Sequence, residues 1–306
     1  MLIISDINNY TCSSPTSVAL GRFDGIHLAH KAVIDAAINH KCNKPLAPAV
    51  FTFEQSPHGM LTGEMVYSLL TTAQKHSLID NMGVRFYFCP SFHDVKEMLP
   101  EEFVYMLKHT LNAQHISCGF NFTFGKYGAG NPALLSELCK RYEMELTVVP
   151  PVDVNGETVS STIIRKYIED GEMDKASNLL GYRFFTDFPV ISGDKRGREM
   201  DFPTINNKLP PTFIHPKYGV YATRSFVDGK WYKSVSNVGI RPTVGADYPR
   251  IETHILDYYG DLYNKNVKIE FFDYLRPELH FSTLDELINA VKTDINTIRG
   301  MNILAT

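Results

Sequence analysis

Two histidines, His27 and His30, stand three residues apart just after a short apolar run, in the segment 21–30. The run predicts a buried strand and the apolar spacing after it predicts a helix, so the histidines lie at a predicted helix start. Backbone N–H groups at a helix start attract phosphate, and imidazoles can donate hydrogen bonds to phosphoryl oxygens as charge develops. The segment therefore predicts phosphoryl or nucleotidyl transfer. Taken alone, it also fits a capped helix with surface histidines, or a metal pair that lacks a third ligand.

Two later segments of the first half carry further groups that suit phosphate. Residues 119–130 form an aromatic, glycine-rich loop that follows a predicted strand. Residues 160–162 place three hydroxyls at the start of another predicted helix, with Arg165 one turn in. Such hydroxyls and a planar guanidinium can hold terminal phosphates. Taken singly, the loop also fits a structural turn and the hydroxyl run also fits a helix cap.

The second half contains chemistry of a different kind. Residues 193–198 read Gly-Asp-Lys-Arg-Gly-Arg, where glycines allow a close approach to phosphate and basic side chains balance its charge. Thr204 and Asn206 are two apart, so in an extended segment their oxygens project to one side and can ligate Mg²⁺. Glu252 and His254 also share one face of a predicted strand, where a carboxylate can accept a hydroxyl proton. A solvated loop, a turn-forming pair and an exposed strand face are the alternatives for these residues.

The elements that must position these groups differ between the two halves. The first ~180 residues alternate short apolar runs with amphipathic helical patterns, which predicts β-α-β units and a mostly parallel sheet. Strands are predicted at 18–20, 49–53, 86–88, 115–117 and 146–149. Helices are predicted at 30–39, 72–82, 100–111 and 131–142, with Thr72 and Asn131 as caps.

From about residue 184 the pattern changes to alternating strands separated by Gly, Pro and Asp, which predicts a β-barrel or sandwich. Strands are predicted at 219–226, 230–237, 250–257 and 266–272, with a tight turn at Asp228-Gly229. A closing helix follows, with an apolar stripe that begins at Leu284 and a capping box from Thr283 and Glu286. The predicted linker between the two halves is 181–187.

Composition excludes several classes of protein. A chain of 306 residues predicts about two domains, and 44% hydrophobic residues without a long apolar run predict a soluble globular protein with no membrane segment. A formal net charge of −4 argues against a nucleic-acid partner. Five scattered cysteines without a C-x-x-C fit reduced thiols. The opening residues lack the basic flank of a signal peptide, so we expect a cytoplasmic location.

Residues 21–30, 119–130 and 159–165 together resemble the nucleotide-binding motifs of the bifunctional riboflavin kinase/FAD synthetase family, which opens on Gly-x-Phe-Asp-Gly-x-His-x-Gly-His. Residues 193–206, 237–243 and 251–257 resemble the riboflavin kinase motifs of the same family. The resemblance covers nearly the whole chain in the family's order. It implies an α/β plus β architecture, with a Rossmann-like nucleotidyltransferase domain at 1–182 and an antiparallel β-barrel with a closing helix at 183–306.

The resemblance also implies what each residue does. The first domain is expected to transfer AMP from ATP to FMN, giving FAD, and the second to phosphorylate riboflavin to FMN, both with Mg²⁺. Catalytic roles are expected for His27, His30, Arg165 and Glu252. ATP or phosphate contacts are expected for Gly21, Phe23, Asp24, Gly25, Asn121, Ser160, Ser161, Thr162, Gly193, Lys195, Gly197 and Arg198. Flavin contacts are expected for Phe53, Phe124 and Arg276, and Mg²⁺ ligation for Thr204 and Asn206.

Two departures from the family pattern leave alternatives open. Ala29 stands where the family usually has Gly, and residues 55–57 read Gln-Ser-Pro where it usually has Pro-His-Pro. One alternative is a riboflavin kinase whose first domain binds nucleotide without turnover. Another is a flavin-binding regulator without enzymatic activity. The expected partners are the small-molecule substrates riboflavin, FMN and ATP, together with weak homo-oligomerisation.

Overall fold

The computed structural model describes residues 1–54, 59, 63, 65–193, 202–240 and 249–304. Contacts within the chain divide it into two compact units, Met1–Ser161 and Thr162–Thr306. The first unit contains a parallel sheet and the second a closed antiparallel barrel, so the predicted fold class is confirmed. None of the helices in these ranges is long and apolar enough to cross a membrane.

The first unit is built on a sheet in which all paired strands run parallel, in the order β1-β4-β3-β2-β5-β6. Its strands are β1 (Leu2–Ile4), β2 (Thr16–Leu20), β3 (Ala47–Phe51), β4 (Phe86–Phe88), β5 (Ala113–Gly119) and β6 (Glu145–Val149). A small hairpin of β7 (Asp153–Val154) and β8 (Glu157–Thr158) follows. Its helices are α1 (Leu28–Ile38), α2 (Thr72–Asn81), α3 (Phe92–Val95), α4 (Pro100–His109) and α5 (Pro132–Arg141), with a short 3₁₀ turn at Lys126–Gly128.

The five predicted strands of this unit are all present. Apolar residues of β2, β3, β4 and β5 are buried in one core, and the edge strand β6 packs on it through the partly buried Leu146. Strand β1 was not predicted: it has three residues, and Leu2 and Ile3 are 54% and 47% exposed. Asn131 caps α5 as predicted, by accepting the backbone N–H of Leu134. The predicted cap Thr72 is wrong by one residue, because Thr71 forms the capping box of α2 with Gln74.

The order of the strands indicates where the first site lies. After β2 the chain adds β3 on one side, and it later returns to add β5 on the other side of β2. A crevice opens outside the carboxyl ends of parallel strands where the order reverses in this way, and ligands bind there in open α/β sheets. The loop 21–27 follows β2 and the loop that contains Asn121 follows β5, so both flank this reversal.

The second unit is a closed barrel of antiparallel strands in the order β10-β13-β12-β11-β14-β9. Its strands are β9 (Phe185–Ile191), β10 (Thr204–Lys208), β11 (Gly219–Val227), β12 (Lys230–Ile240), β13 (Pro249–Ile255) and β14 (Asn266–Arg276). Helix α6 (Ser161–Asp170) begins at the boundary between the units, and α7 (Met173–Leu180) and the closing helix α8 (Leu284–Gly300) belong to this unit. The predicted domain boundary after 182 stays a prediction.

Local sequence signals explain much of the barrel. Asp228 and Gly229 both take positive φ, of 48° and 80°, as the predicted tight turn between β11 and β12 requires. Thr283 caps α8 as predicted, but the Glu286 carboxylate accepts the N–H of Ser282, so the box does not close on the cap residue. The helix covers the barrel through its later turns, because Leu284 is 60% exposed whereas Ile295 and Ile298 are buried.

The predicted linker 181–187 is wrong. Gly181 ends α7 in the left-handed conformation, with φ 80°, and β9 begins four residues later. Phe184 and Phe185 are both buried, so the segment belongs to the barrel core. Strand β9 was not predicted because Asp187 and Pro189 interrupt its apolar pattern. Pro189 is tolerated because tertiary pairing with β14 and β10 holds the strand.

A buried polar chain crosses the first sheet. Ser17 Oγ lies 2.8 Å from His115 Nδ1, and His115 Nε2 lies 2.9 Å from Thr147 Oγ1, so the imidazole bridges β2 and β6. The ring of His40 stacks on it at 3.7 Å between centroids. Burial, with the charge of His40 as a smaller cause, lowers the His115 pKa to about 4. Folding therefore favours the neutral imidazole.

We predict that this histidine makes the first unit acid-sensitive. The His115 pKa is about 4 in the folded chain and 6.5 in the unfolded chain, so the unfolded chain binds the proton more tightly. The contribution of His115 is therefore present above pH 6.5 and is lost as the pH falls towards 4, by at most about 3 kcal/mol. Urea unfolding of His115→Gln and of the surface control His109→Gln, measured between pH 4 and 7, tests this. Equal pH dependence in wild type and His115→Gln would contradict it.

Candidate active sites

The first site is the loop between β2 and α1. Phe23, Gly25 and Ile26 all have positive φ, of 51°, 90° and 38°. Such a backbone is strained at Phe23 and Ile26, and it persists because both side chains are buried in the core. The ring of Phe23 also lies where a Cβ on Gly21 would sit, at 2.9 Å, so Gly21 is required for this packing. These residues shape the loop that delivers the two histidines.

The two histidines form a stacked pair at the start of α1. His27 is the cap residue: its Nδ1 accepts the backbone N–H of His30 at 3.2 Å. In the neutral ring the proton then resides on Nε2, which makes that atom a hydrogen-bond donor. The rings stack at 3.6 Å between centroids, and Phe23 meets His30 edge-on at 5.4 Å. The pair therefore sits in a rigid orientation at a helix N-terminus, as phosphate binding requires.

Three neighbours hold this loop through its backbone and its aspartate. Ser161 Oγ donates to the carbonyl of Asp24 at 2.9 Å, and Thr52 Oγ1 donates to the carbonyl of Arg22 at 2.9 Å. The Asp24 carboxylate accepts the N–H of Leu69 at 2.9 Å. The structure thus brings together two of the three segments predicted from the sequence. It gives Ser161 a positioning contact, and direct phosphate binding by Ser160 and Ser161 stays a prediction.

The third segment approaches the same edge of the sheet. Asn121 is exposed and lies two residues beyond the carboxyl end of β5. Phe124 is only 5% exposed, and its ring packs on Phe103 and Phe122 in the core. A Cβ on Gly130 would collide with that ring at 2.6 Å. The ring of Phe124 therefore supports the loop, and a flavin contact by it stays a prediction.

The other residues discussed for this site lie in aromatic packing, in α1, in α6 or outside the described residues. Phe53 is half-buried and packs edge-on against Phe51 and Phe92. Ala29 lies in the first turn of α1, where alanine is the most favourable helix residue, so its methyl does not disturb the backbone. Thr162 and Arg165 lie on α6 and belong by their contacts to the second unit. Residues 55–58 lie outside the described residues.

The second site is formed by the pairing of β10 with β13. The register places Thr204 opposite His254 and Asn206 opposite Glu252. Directly opposed residues of an antiparallel pair point to the same face of the sheet, so the four side chains share one face. Asn237 of β12 lies opposite Glu252 on the other side and extends that face. Residues that the sequence separates by about fifty positions therefore become neighbours through strand pairing.

Backbone contacts fix the Thr204–Asn206 segment. His254 Nδ1 donates to the carbonyl of Pro203 at 2.8 Å, and Phe202 meets the imidazole edge-on at 5.8 Å. Burial lowers the His254 pKa, although the Pro203 carbonyl opposes this. A neutral imidazole that donates through Nδ1 is sufficient for this contact. Gly193 approaches the segment closely, since a Cβ there would lie 2.5 Å from Asn206 Nδ2.

Sequence reasoning missed one carboxylate on this face. Asn237 Nδ2 donates to Glu278 Oε1 at 3.0 Å, and a Cβ on Gly239 would collide with the same carboxylate. Glu278 follows β14 by two residues, so no spacing within the chain connects it to Asn237. The signal in the sequence that could have drawn attention to Glu278 is its position two residues after Arg276, for which a flavin contact is predicted.

Arg276 itself is engaged by the closing helix. Its Nε and Nη2 lie 3.2 Å and 2.8 Å from the carboxylate of Asp294, which is buried in α8. Such a two-pronged pair ties the end of β14 to the helix. The contact gives Arg276 a structural role, and its predicted flavin contact stays a prediction.

The remaining predicted residues of the second site lie outside the described residues, namely Lys195, Gly197, Arg198 and residues 241–243. Among the residues that the structure describes, no group of three or more His, Cys, Asp or Glu side chains is arranged to hold a metal. Thr204 and Asn206 offer a hydroxyl and an amide carbonyl, the hard oxygen donors that Mg²⁺ prefers. The donor set therefore fits Mg²⁺ with little help from protein carboxylates.

A parallel sheet with a histidine pair at a helix start, followed by a barrel with a Thr-x-Asn/Glu face, defines a two-unit nucleotide-dependent transferase. A family model described as FAD synthetase matches residues 10–163, and one described as Riboflavin kinase matches residues 180–302. The chain belongs to the family of bifunctional riboflavin kinase/FMN adenylyltransferases.

Two relatives carry this family's description, and a solved structure shares the fold of the whole chain. A bifunctional riboflavin kinase/FMN adenylyltransferase of Listeria monocytogenes is 34% identical over 92% of this chain and 91% of its own length. One of Bacillus subtilis is 34% identical over 90% of this chain and 89% of its own length. A crystal structure of a Streptococcus pneumoniae protein described as a macrolide-efflux protein is 28% identical, with a TM-score of 0.88 over 98% of this chain and 99% of that one.

We predict that Gly193→Ala selectively impairs the second site. The added methyl would displace the Asn206 amide, because it would lie 2.5 Å from Nδ2. Because Asn206 is a predicted Mg²⁺ ligand, a small displacement of its amide is expected to lower riboflavin phosphorylation by about tenfold or more. FAD formation from FMN is expected to be unchanged. Gly300→Ala is the matched control, since nothing lies within 4 Å of its added methyl. Unchanged phosphorylation by Gly193→Ala would refute this role of the contact.

Proposed function

We propose that this chain makes both flavin cofactors: it phosphorylates riboflavin to FMN and transfers AMP from ATP to FMN, giving FAD. One observation carries the proposal most directly. The FAD synthetase and riboflavin kinase family models match the chain in succession, and the structure contains a parallel sheet followed by a closed barrel. We assign adenylyl transfer to residues 1–182 and phosphorylation to residues 183–306. Riboflavin, FMN and ATP are the substrates, and a cytoplasmic location and weak homo-oligomerisation remain predictions.

In the second unit, phosphorylation needs a base and a held triphosphate. The riboflavin 5′-hydroxyl oxygen attacks the γ-phosphorus of ATP, its proton passes to the Glu252 carboxylate, and ADP leaves. Thr204 and Asn206 would hold Mg²⁺, which supplies charge neutralisation at the phosphates. The cross-strand register supports this assignment because it places Glu252 directly opposite Asn206. The backbone of Gly193 then approaches from the predicted phosphate loop.

In the first unit, adenylyl transfer needs no covalent enzyme intermediate. An oxygen of the FMN phosphate attacks the α-phosphorus of ATP in line, and pyrophosphate leaves. His27 and His30 at the helix start donate hydrogen bonds to phosphoryl oxygens as charge develops. The stacked geometry of the histidine pair supports this role, since a preorganised donor costs no reorganisation during transfer. The expected role of Arg165 stays a prediction.

One assay separates the proposal from its alternatives. Purified protein is incubated with ATP, Mg²⁺ and either riboflavin or FMN, and the flavins are separated by chromatography, with oxidised and reduced flavin in parallel. We expect FMN from riboflavin and FAD from FMN. FMN without FAD would select the kinase with an inactive first domain. Bound but unchanged flavin would select the regulator, which the presence of a base opposite Asn206 argues against, because binding alone requires no base.

We predict that Glu252→Gln separates the two activities. The amide keeps the size of the carboxylate but cannot accept the hydroxyl proton. Riboflavin phosphorylation should fall by about 10²–10⁴, and FAD formation from FMN should remain at the wild-type rate. Chromatography of both reactions measures the two rates in one preparation. Near-normal phosphorylation by this variant would remove Glu252 from its proposed role.

A further inference from the structure

A lysine is buried beside the first site. Lys75 lies in the first turn of α2 and is 7% exposed. Burial of an ammonium group is costly unless other groups compensate its charge, and the N-terminus of a helix is an unfavourable place for a cation. The folded chain therefore keeps Lys75 there at a cost that something else must offset.

The partners of Lys75 belong to two different loops. Its Nζ donates to the carbonyl of Phe53 at 3.0 Å, at the end of β3. The carboxylates of Glu54 and Asp24 both favour its charged form, although burial outweighs them and lowers the Lys75 pKa. Glu54 follows β3, and Asp24 lies in the loop that delivers the histidine pair. Lys75 thus holds the segment after β3 through the Phe53 carbonyl, and its charge interacts with Asp24 in the loop of the histidine pair.

The groups around Glu54 show that its charge is maintained. His76 Nε2 lies 3.0 Å from Glu54 Oε1. Burial raises the Glu54 pKa, but His76, Lys75 and Thr72 outweigh burial and hold it below its usual value. Glu54 in turn adds to the effect of burial on Tyr87 of β4, whose pKa is raised, and on Cys89 just after that strand, whose pKa is raised to about 12. The positive charge of Arg22, in the loop between β2 and α1, also lowers the Lys75 pKa.

Charge balance explains this arrangement. Glu54 and Asp24 are two carboxylates at the edge of the sheet where the anionic phosphates of ATP and FMN must enter. Without a compensating cation, these carboxylates would repel both substrates. With Lys75 offsetting their charges, Asp24 can accept the Leu69 N–H and Glu54 can contact His76 while the site stays receptive to anions.

We propose that Lys75 is a positioning residue for adenylyl transfer: it holds the Phe53–Glu54 segment through the Phe53 carbonyl and offsets the charges of Glu54 and Asp24 where anionic substrates bind. The inference rests on the proposed FMN adenylylation by the first unit. It adds a residue that touches neither substrate and acts through Glu54, Asp24 and the Phe53 carbonyl.

The test uses the full chain and measures FAD formation from FMN and ATP, with riboflavin phosphorylation as the internal control. Lys75→Met and Lys75→Gln are expected to lower kcat/KM for FMN adenylylation by about ten- to a hundredfold, mostly through KM. Phosphorylation should stay within about twofold of wild type, because it belongs to the other unit. The exposed Lys140→Met is the matched control and should change neither reaction.

A second substitution distinguishes charge balance from simple packing. In Lys75→Met/Glu54→Gln the uncompensated carboxylate is removed, so adenylylation should recover by about fivefold or more over Lys75→Met. Lys75→Gln/Glu54→Gln should recover in the same way if the methionine variant is poorly folded. A double variant no better than the single one, or a single variant with wild-type activity, would overturn the proposal. Failure of the wild-type chain to make FAD would instead refute adenylyl transfer itself.

Discussion

Neutralisation of polyphosphate charge is the constraint on which both sites depend. Each proposed reaction brings ATP next to a second substrate, and in the first unit that substrate is itself a phosphate. Besides the basic residues predicted to contact phosphate, Arg165, Lys195 and Arg198, the proposed sites offer fixed dipoles for this purpose. The first unit uses a helix start and two stacked imidazoles, and the second uses glycine backbone and oxygen donors beside a carboxylate.

Rigid support makes these weak donors effective. The histidine loop has strained residues at Phe23 and Ile26, and buried packing together with hydrogen bonds from Ser161 and Thr52 holds them in place. In the barrel, His254 fixes the Pro203 carbonyl and thereby the strand that carries Asn206. In both units, residues that do not contact substrate determine where the donors point. The role proposed for Lys75 is of the same kind.

Local patterns were sufficient for most of the secondary structure. Continuous apolar runs predicted five strands of the first sheet, and Asp228-Gly229 predicted the turn between β11 and β12. The failures have physical causes. Strand β1 is too short and exposed to leave a signal, and the pattern of β9 is interrupted by Pro189 although pairing with two neighbours holds it in the barrel. In such elements tertiary contacts outweigh local propensity.

The sequence by itself determined the two-unit organisation, the family resemblance and the identity of the motif residues, because each of these depends on residue types at short spacing. Tertiary structure alone decided which groups became neighbours. Ser161 reaches Asp24, Glu252 lies opposite Asn206, Asn237 meets Glu278, and Lys75 donates to the Phe53 carbonyl. The reason is that strand register and the burial of a charge are settled by the whole core, and no local spacing encodes the distance between residues that are far apart in the chain.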